Sequence, residues 1–272
     1  MRDSEPEGKL GLALCLPDDE GRHGAGGLRT QGYFKSSLPN MPLITVVTVV
    51  FNGEKYLEET ILSVINQTYK NVEYIIIDGG STDATLDIIK KYYYAVDYWI
   101  SEIDNGIYDA MNKGITSSNG EWLNFMNCGD SFYCEDVLSS IIYRYGESDL
   151  IYSDTMLSNG VLYGCNIHTN KIVHQSLIYK KNLHDEFGLY LNNKNVSISD
   201  YIFFQLCKKK KWVKSKYIIA IFNIFGVSSN LGHYKQKIAV DIIFGNSSRI
   251  HGVLMLLIHP IYIKVKRFFY ET

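Results

Sequence analysis

The sequence predicts an α/β fold: a mostly parallel central sheet with helices on both faces. Three observations carry that expectation. Strand-like and helix-like segments alternate from Met41 to Met126. The strand-like runs are continuously apolar and β-branched, as strands buried on both faces are. Polar, glycine-containing clusters recur where those strands end. Such alternation builds parallel sheets, whose ligands bind at the carboxyl ends of the strands.

Taken in order, residues 1–40 hold seven glycines and no valine or isoleucine. A segment without β-branched aliphatics is expected neither to form a strand nor to bury much surface. It reads as a disordered or non-native extension, with Met41 the natural start. Leu43–Phe51 (LITVVTVVF) is a buried strand, and Lys55–Gln67 a helix with Leu57, Ile61, Leu62 and Ile65 at helical spacing. Val72–Ile77 is a second strand, Asp83–Tyr93 a second helix and Val96–Ser101 a short third strand. Gly106–Thr116 is a helix carrying Ile107, Ala110, Met111 and Ile115, and Glu121–Met126 is a fourth strand ending in Asn127-Cys128-Gly129-Asp130. The second half is less regular. It predicts a helix over Cys134–Tyr145, a strand over Leu150–Ser153 and a hairpin within Met156–Val173, turning at Ser158-Asn159-Gly160. Ser199–Lys209 reads as a helix, Tyr217–Phe222 as a strand, and Lys235–Phe269 as mainly helical.

Composition removes several functional classes. A net charge of −2 over 272 residues gives no argument for a nucleic-acid partner. The five cysteines are odd in number and form no Cys-x-x-Cys pair, which argues against a disulfide framework and a zinc site and suits a reducing compartment. The N-terminus lacks the apolar core of a secretory signal. The run Gly252–Ile258 is too short for a bilayer span, which needs about 20 apolar residues. A cytoplasmic protein is expected.

The polar clusters are ambiguous one at a time. Asp78-Gly-Gly-Ser-Thr-Asp83 is a glycine turn with Ser81 or Thr82 capping a helix. It lacks the Gly-Lys-Ser/Thr of a phosphate-binding P-loop and is no Gly-x-Gly-x-x-Gly fingerprint. Asp104–Gly114 places Asp109, Asn112 and Lys113 within one helical turn, which by itself describes a solvated face. Asp130 follows a glycine at the end of a buried strand and reads either as a turn residue or as a metal ligand.

In series the motifs say more. Phe51-Asn52, Gln67-Thr68-Tyr69 and Ile77-Asp78-Gly-Gly-Ser81-Thr-Asp83 are followed by Ser101-Glu102-x-Asp104-x-Gly106-Ile-Tyr-Asp-Ala-Met-Asn112-Lys113-Gly114. Gly120-Glu121 and Phe125-Met-Asn127-x-Gly-Asp130 complete the set. Over residues 41–225 the chain resembles the family 2 glycosyltransferases of the GT-A fold, above all the bacterial enzymes that assemble capsule, O-antigen and exopolysaccharide repeat units. The resemblance implies a glycosyltransferase domain over residues 41–232, with a nucleotide-sugar half at 41–133 and an acceptor half at 134–232. It implies transfer, with inversion, from a nucleotide-sugar donor (a UDP-sugar) to a hydroxyl of a glycan or lipid-linked glycan.

By position, Phe51, Asn52, Asp78, Ser81, Asp104, Asn112 and Lys113 would meet the donor. Many members carry two aspartates where this chain has Asp78-Gly79. The metal motif is likewise reduced, since Gly129 stands where a first acidic residue is usual. Asp130 would then hold Mg²⁺ or Mn²⁺ together with the donor's phosphate oxygens, as hard ions allow. The resemblance gives the general base as Asp200, in Ile198-Ser199-Asp200-Tyr201, although a first-turn aspartate is also favoured by the helix dipole alone. Asp154 is a weaker candidate for that role. His174, in His174-Gln175-Ser176, reads equally as a contact to diphosphate or acceptor and as a structural histidine.

Two other functions compete. A sugar nucleotidylyltransferase would need a basic glycine-rich loop after the first strand, where this chain has Asn52-Gly53-Glu54-Lys55. A catalytically dead scaffold draws support from the reduced Gly129-Asp130 motif. Residues 233–272 form a C-terminal helical segment. Within it, Ser248–Phe269 joins an apolar run to Lys264, Lys266 and Arg267, which suits either a peripheral contact with the cytoplasmic face of a membrane or a terminal helix packed on the domain.

Overall fold

The structure, a computed structural model, describes residues 15–17, 21–193, 195–224 and 231–256. The buried runs become the centre of an eight-stranded sheet. Its strands are β1 (Arg22–Gly26), β2 (Ile44–Val50), β3 (Val72–Asp78), β4 (Tyr98–Glu102), β5 (Trp122–Phe125), β7 (Leu150–Tyr152), β10 (Leu177–Lys180) and β11 (Trp212–Lys214), in the order β1-β4-β3-β2-β5-β10-β7-β11. Pairing is parallel from β4 through β3 and β2 to β5, and again between β7 and β11. It is antiparallel at β1–β4 and on both sides of β10. All seven residues of β2 are buried, as a central strand covered on both faces requires.

Helices α1 (Leu57–Ile65), α2 (Thr85–Lys91) and α3 (Ile107–Ser117) return the chain between the parallel strands. The sheet separates two apolar clusters. One holds Ile44, Val46, Leu57, Ile61, Ile76 and Trp122. The other holds Val47, Ile75, Ile77, Met111, Phe125 and Tyr179. Beyond β5 come α4 (Val137–Tyr145), α5 (Leu183–Phe187), α6 (Ser199–Leu206) and α7 (Leu231–Ile243). A second sheet, β6-β12-β8-β9, is built from β6 (Ser131–Phe132), β8 (Thr155–Leu157), β9 (Leu162–Tyr163) and β12 (Ala220–Phe222).

Two expectations need correction. Residues before Met41 were expected to form no strand, yet β1 pairs with β4 and a 3-10 helix follows at Leu28–Gln31. The reason is that glycine suits an edge strand lying over a large ring: a Cβ at Gly26 would fall 2.8 Å from Trp99 Nε1. Charge holds the segment as well. Arg22 meets Glu102 at 2.9 Å, Lys35 meets Asp97 at 2.8 Å, and Arg29 Nη2 meets Glu73 Oε1 at 2.5 Å with both side chains 1% exposed. The hairpin expected over Met156–Val173 is the second correction. It shrinks to β8 and β9, and the chain then continues through a 3-10 helix at Ile167–Thr169.

The expected C-terminal helix begins earlier, at Leu231, and is bound to the domain. Gln236 accepts the Ser197 N–H at 2.9 Å, Asp241 accepts from the Tyr201 hydroxyl, and Asn246 donates to Gln205 at 2.7 Å. Residues 249–256 are helical, with Ile250, Val253 and Leu254 exposed. The basic residues Lys264, Lys266 and Arg267 lie outside the described residues. Among the described residues no helix is long and apolar enough to cross a membrane.

Candidate active site

The carboxyl ends of β2, β3, β4 and β5 lie side by side, and three polar clusters form around them. The first joins the loop after β2 to the turn after β3. Asn52, in the left-handed region at φ 49°, accepts the Thr82 N–H at 2.9 Å through Oδ1. Its own N–H donates to Ser81 Oγ at 2.7 Å. Gly53 N–H donates to Thr85 Oγ1, and Glu54 caps the Ala84 N–H. Asp78 is fully buried and accepts from the Ser81 N–H, the Ser81 hydroxyl and the Ser101 hydroxyl. It therefore holds the turn in shape. Phe51, immediately after β2, is 65% exposed.

Gly79 has a physical explanation. A Cβ there would lie 2.5 Å from Asp104 Oδ2, so the Asp104 carboxylate fills the space a side chain at 79 would need. Burial pushes the Asp104 carboxyl up, opposed by the Gly106 N–H and by Lys113.

The second cluster surrounds Asp130. Gly129 sits at φ 97°, a backbone that side chains other than glycine rarely adopt, and its N–H donates to Thr60 Oγ1. Asp130 is 5% exposed and accepts the Asn223 N–H at 2.8 Å. Burial pushes its carboxyl up to about 7, against the Asn223 N–H and the Gln175 side chain, which favour the charged form.

The third cluster brings the second half of the chain to α3. Asp200, in the first turn of α6, accepts from the Tyr108 hydroxyl at 2.6 Å through Oδ1. Its Oδ2 lies 3.6 Å from His174 Nδ1. Burial pushes the His174 imidazole down and so keeps it neutral. Burial and the Asp200 charge push the Tyr108 phenol up, so it stays a donor.

The sequence pattern described as Glycosyl transferase family 2 matches residues 45–206, which take in all three clusters except Asn223. The chain belongs to glycosyl transferase family 2. It is 29% identical over 205 residues to a "PGL/p-HBAD biosynthesis glycosyltransferase" of Mycobacterium bovis, covering 70% of this chain and 80% of that one. An "uncharacterized glycosyltransferase" of Haemophilus influenzae is 31% identical over 136 residues, covering 49% and 52%. S. aureus TarS 1–349, solved with UDP-GlcNAc, superposes with a TM-score of 0.60 at 17% identity, covering 79% of this chain and 70% of that one. The mannosyltransferase PcManGT of Pyrobaculum calidifontis, solved with GDP-Man and Mn²⁺, superposes with a TM-score of 0.55 at 13% identity, covering 73% and 60%. The fold is therefore GT-A, and the protein is a glycosyltransferase.

Within this family 2 chain, the predicted site residues divide into those that line the clusters and those that brace them. Phe51, Asn52, Ser81, Asp104 and Asp130 stand at the strand ends, while Asp200 and His174 meet beside Tyr108 in the first turn of α3. Asp78 and Asn112, expected to meet the donor, are engaged inside the protein. Asn112 grips Tyr190 with both amide atoms, donating to its carbonyl and accepting its N–H. Lys113 pairs with Glu102 at 2.7 Å. Asp154 pairs with Lys214 at 2.7 Å and accepts the Cys165 N–H, a structural bridge. Tyr108, Gln175, Asn223 and Tyr190 went unnoticed. The first two sat inside quoted motifs, Gly106-Ile-Tyr108-Asp and His174-Gln175-Ser176, whereas Asn223 and Tyr190 carried no local signal.

The Asp130 cluster fits a hard divalent cation. Asn127 Oδ1 is buried and has no hydrogen-bond partner, an oxygen free to coordinate next to the Asp130 turn. The intervening Cys128 thiol is pushed up to about 12 by burial, so it stays protonated and offers no thiolate. Among the described residues no group of three His, Cys, Asp or Glu could hold a metal, so a cation here needs oxygens from the substrate.

Proposed function

We propose that this glycosyltransferase moves a sugar, with inversion, from a UDP-sugar to a hydroxyl of a lipid-linked surface glycan. The observation that carries the reading is the 2.6 Å bond from Tyr108 to Asp200. It fixes a carboxylate of the acceptor half, residues 134–232, against the helix that opens at the end of β4 in the nucleotide-sugar half, residues 41–133. A base for the acceptor thereby faces the strand ends where a GT-A donor lies.

In this reading the Phe51 ring and Asn52 receive the nucleoside, on a turn that Asp78 holds rigid. Asp104, Ser81 and Lys113 face the sugar side, and Asn112 braces that helix through Tyr190. Asp130 and Asn127 Oδ1 would hold Mg²⁺ or Mn²⁺, which when bound supplies positive charge against the departing diphosphate. Asp200 takes the proton of the acceptor hydroxyl. The loop Asn52–Lys55 is spent on capping the β3 turn, which disfavours a nucleotidylyltransferase.

The test is Asp200→Asn, assayed with a panel of UDP-sugars and GDP-sugars. Donor affinity should be unchanged while transfer falls by roughly a hundredfold or more, because a base acts on the acceptor alone. Affinity and turnover falling together would make Asp200 a donor-site or structural residue.

A peripheral membrane site on the cytoplasmic face belongs to the same reading. Ile243 and Ile250 are each 77% exposed, Val253 and Leu254 are exposed as well, and the basic residues Lys264, Lys266 and Arg267 follow in the sequence. Rings and aliphatics at the interface with cations against anionic lipid would bring the enzyme to a lipid-linked acceptor. The full chain should float with anionic liposomes, and a chain ending at Ser247 should not. Equal behaviour of the two would exclude the membrane contact.

A further inference from the structure

Behind Asp200 runs a buried chain of hydrogen bonds whose proton direction is fixed at its far end. His184 Nδ1 lies 3.0 Å from the Gly188 carbonyl oxygen. A carbonyl only accepts, so Nδ1 carries the proton and Nε2 is bare. Burial supports this by pushing the His184 imidazole down to about 4, which keeps it neutral. The Tyr179 hydroxyl, 3.0 Å from that Nε2, must donate to it. Its single proton spent, Tyr179 accepts from Tyr190 at 2.9 Å. Tyr190 has then spent its own proton and accepts from His174 Nε2 at 3.2 Å. Each step follows from the one before.

His174 is thereby held as the Nε2–H tautomer, with a bare lone pair on Nδ1. That lone pair faces Asp200 Oδ2 at 3.6 Å, beyond hydrogen-bonding distance, two acceptors with no proton between them. The rings of Phe125 and Phe204 pack on the imidazole at 5.0 and 5.3 Å. The titratable groups around it are Asp200 and Tyr190, with Tyr108, Tyr179, His184 and Cys207 behind them. The surrounding phenols and the Cys207 thiol are all pushed up by burial, so they stay protonated near neutral pH.

We propose that His174 Nδ1 and Asp200 Oδ2 form a single proton-accepting site, and that the His184–Tyr179–Tyr190 chain keeps His174 Nδ1 unprotonated for it. The proposal rests on the reading of Asp200 as base. The acceptor O–H breaks and its proton goes to Asp200, to be shared with His174 Nδ1. The electron pair left on the acceptor oxygen forms the bond to the anomeric carbon. The anomeric C–O bond to the diphosphate breaks with its pair passing to the nucleotide. His174 is then a positioning and proton-sharing residue, and Tyr190, Tyr179 and His184 set its tautomer.

The first measurement needs only the unaltered chain with ¹⁵N-labelled histidine. Two-bond proton–nitrogen correlations should show His174 protonated on Nε2 and bare on Nδ1, its signal assigned by its loss in His174→Gln or by contacts to Phe125 and Phe204. A proton on Nδ1 would overturn the inference whatever Asp200 does. The second measurement is Tyr179→Phe, with Tyr190→Phe as an independent break in the chain. Without the Tyr179 oxygen, Tyr190 turns its proton back to His174 Nε2, and the histidine proton moves to Nδ1, where it bonds Asp200. The acid limb of kcat/KM should move to lower pH and kcat should fall by roughly tenfold, with donor affinity unchanged. Folded variants with an unmoved tautomer and an unmoved pH profile would reduce the chain to a packing role. If Asp200→Asn retains full transfer, the base reading fails separately, since the tautomer measurement does not depend on turnover.

Discussion

Asp130→Asn should abolish metal-dependent transfer and at the same time make the metal-free protein more stable. The activity loss follows from removing the carboxylate at the end of β5. Charge stabilisation of a departing diphosphate is worth several kcal/mol, so turnover should fall by roughly a thousandfold. The gain in stability follows from linkage. Burial pushes the folded carboxyl up to about 7, whereas the unfolded chain holds it near the ordinary aspartate value of about 3.9. Between those values the unfolded state releases a proton that the folded state keeps. Stability therefore falls as pH rises through that window, and the penalty is constant above it. Its size is on the order of a few kcal/mol. Asparagine does not titrate, and its Oδ1 can still accept the Asn223 N–H. The variant should thus melt higher than the parent at pH 8 without metal, and the difference should vanish near pH 4. Mn²⁺ should raise the melting temperature of the parent alone. A variant that loses stability at pH 8, or keeps its metal response, would remove Asp130 from the metal site.

The first half of the chain was legible because its strands are buried on both faces. Leu43–Phe51 and Val72–Ile77 admit one reading, and three clusters at successive strand ends locate the cleft before any side chain is placed. The second half was harder for a physical reason. β10 sits between two antiparallel neighbours, so its LIYK sequence has neither the length nor the alternation that marks a strand. The division of labour among polar residues was not legible either. Asp78 and Asn112 have the chemistry of ligand contacts, but only the fold brings Ser101 to Asp78 and Tyr190 to Asn112. Tyr190 acts through His174 and Tyr179, whose proximity only the fold creates. Glycine misled most. In residues 22–27 it signals close approach of an edge strand to Trp99, a reading available only once the ring is in place.

A chain begun at Met41 should fail to fold stably, and the single change Arg29→Ala should reproduce much of the damage. Glu73 is 1% exposed, and its charge is balanced by Arg29, with the Thr45 hydroxyl and the Asn119 N–H as further donors. Arg29 also donates to the Ser117 carbonyl at the end of α3, so it ties β3 to that helix. Removing it leaves the carboxylate buried with hydrogen bonds but without its ion-pair partner, Lys181 interacting with it from farther away. One orphaned buried charge costs about 3–5 kcal/mol, a fall in melting temperature of roughly 10 °C for a chain of this size. Starting at Met41 deprives Asp97 of Lys35 in the same way and strips β4 of its antiparallel neighbour β1. Glu102 keeps Lys113 but loses Arg22. Thermal melts of Arg29→Ala, Glu73→Leu and the double variant Arg29→Leu with Glu73→Leu separate charge from packing. The double variant should recover most of the loss, because replacing both partners leaves no unpaired charge. A single Arg29→Ala variant within about 1 kcal/mol of the parent in stability would show that the Arg29–Glu73 pair does not anchor the N-terminal segment.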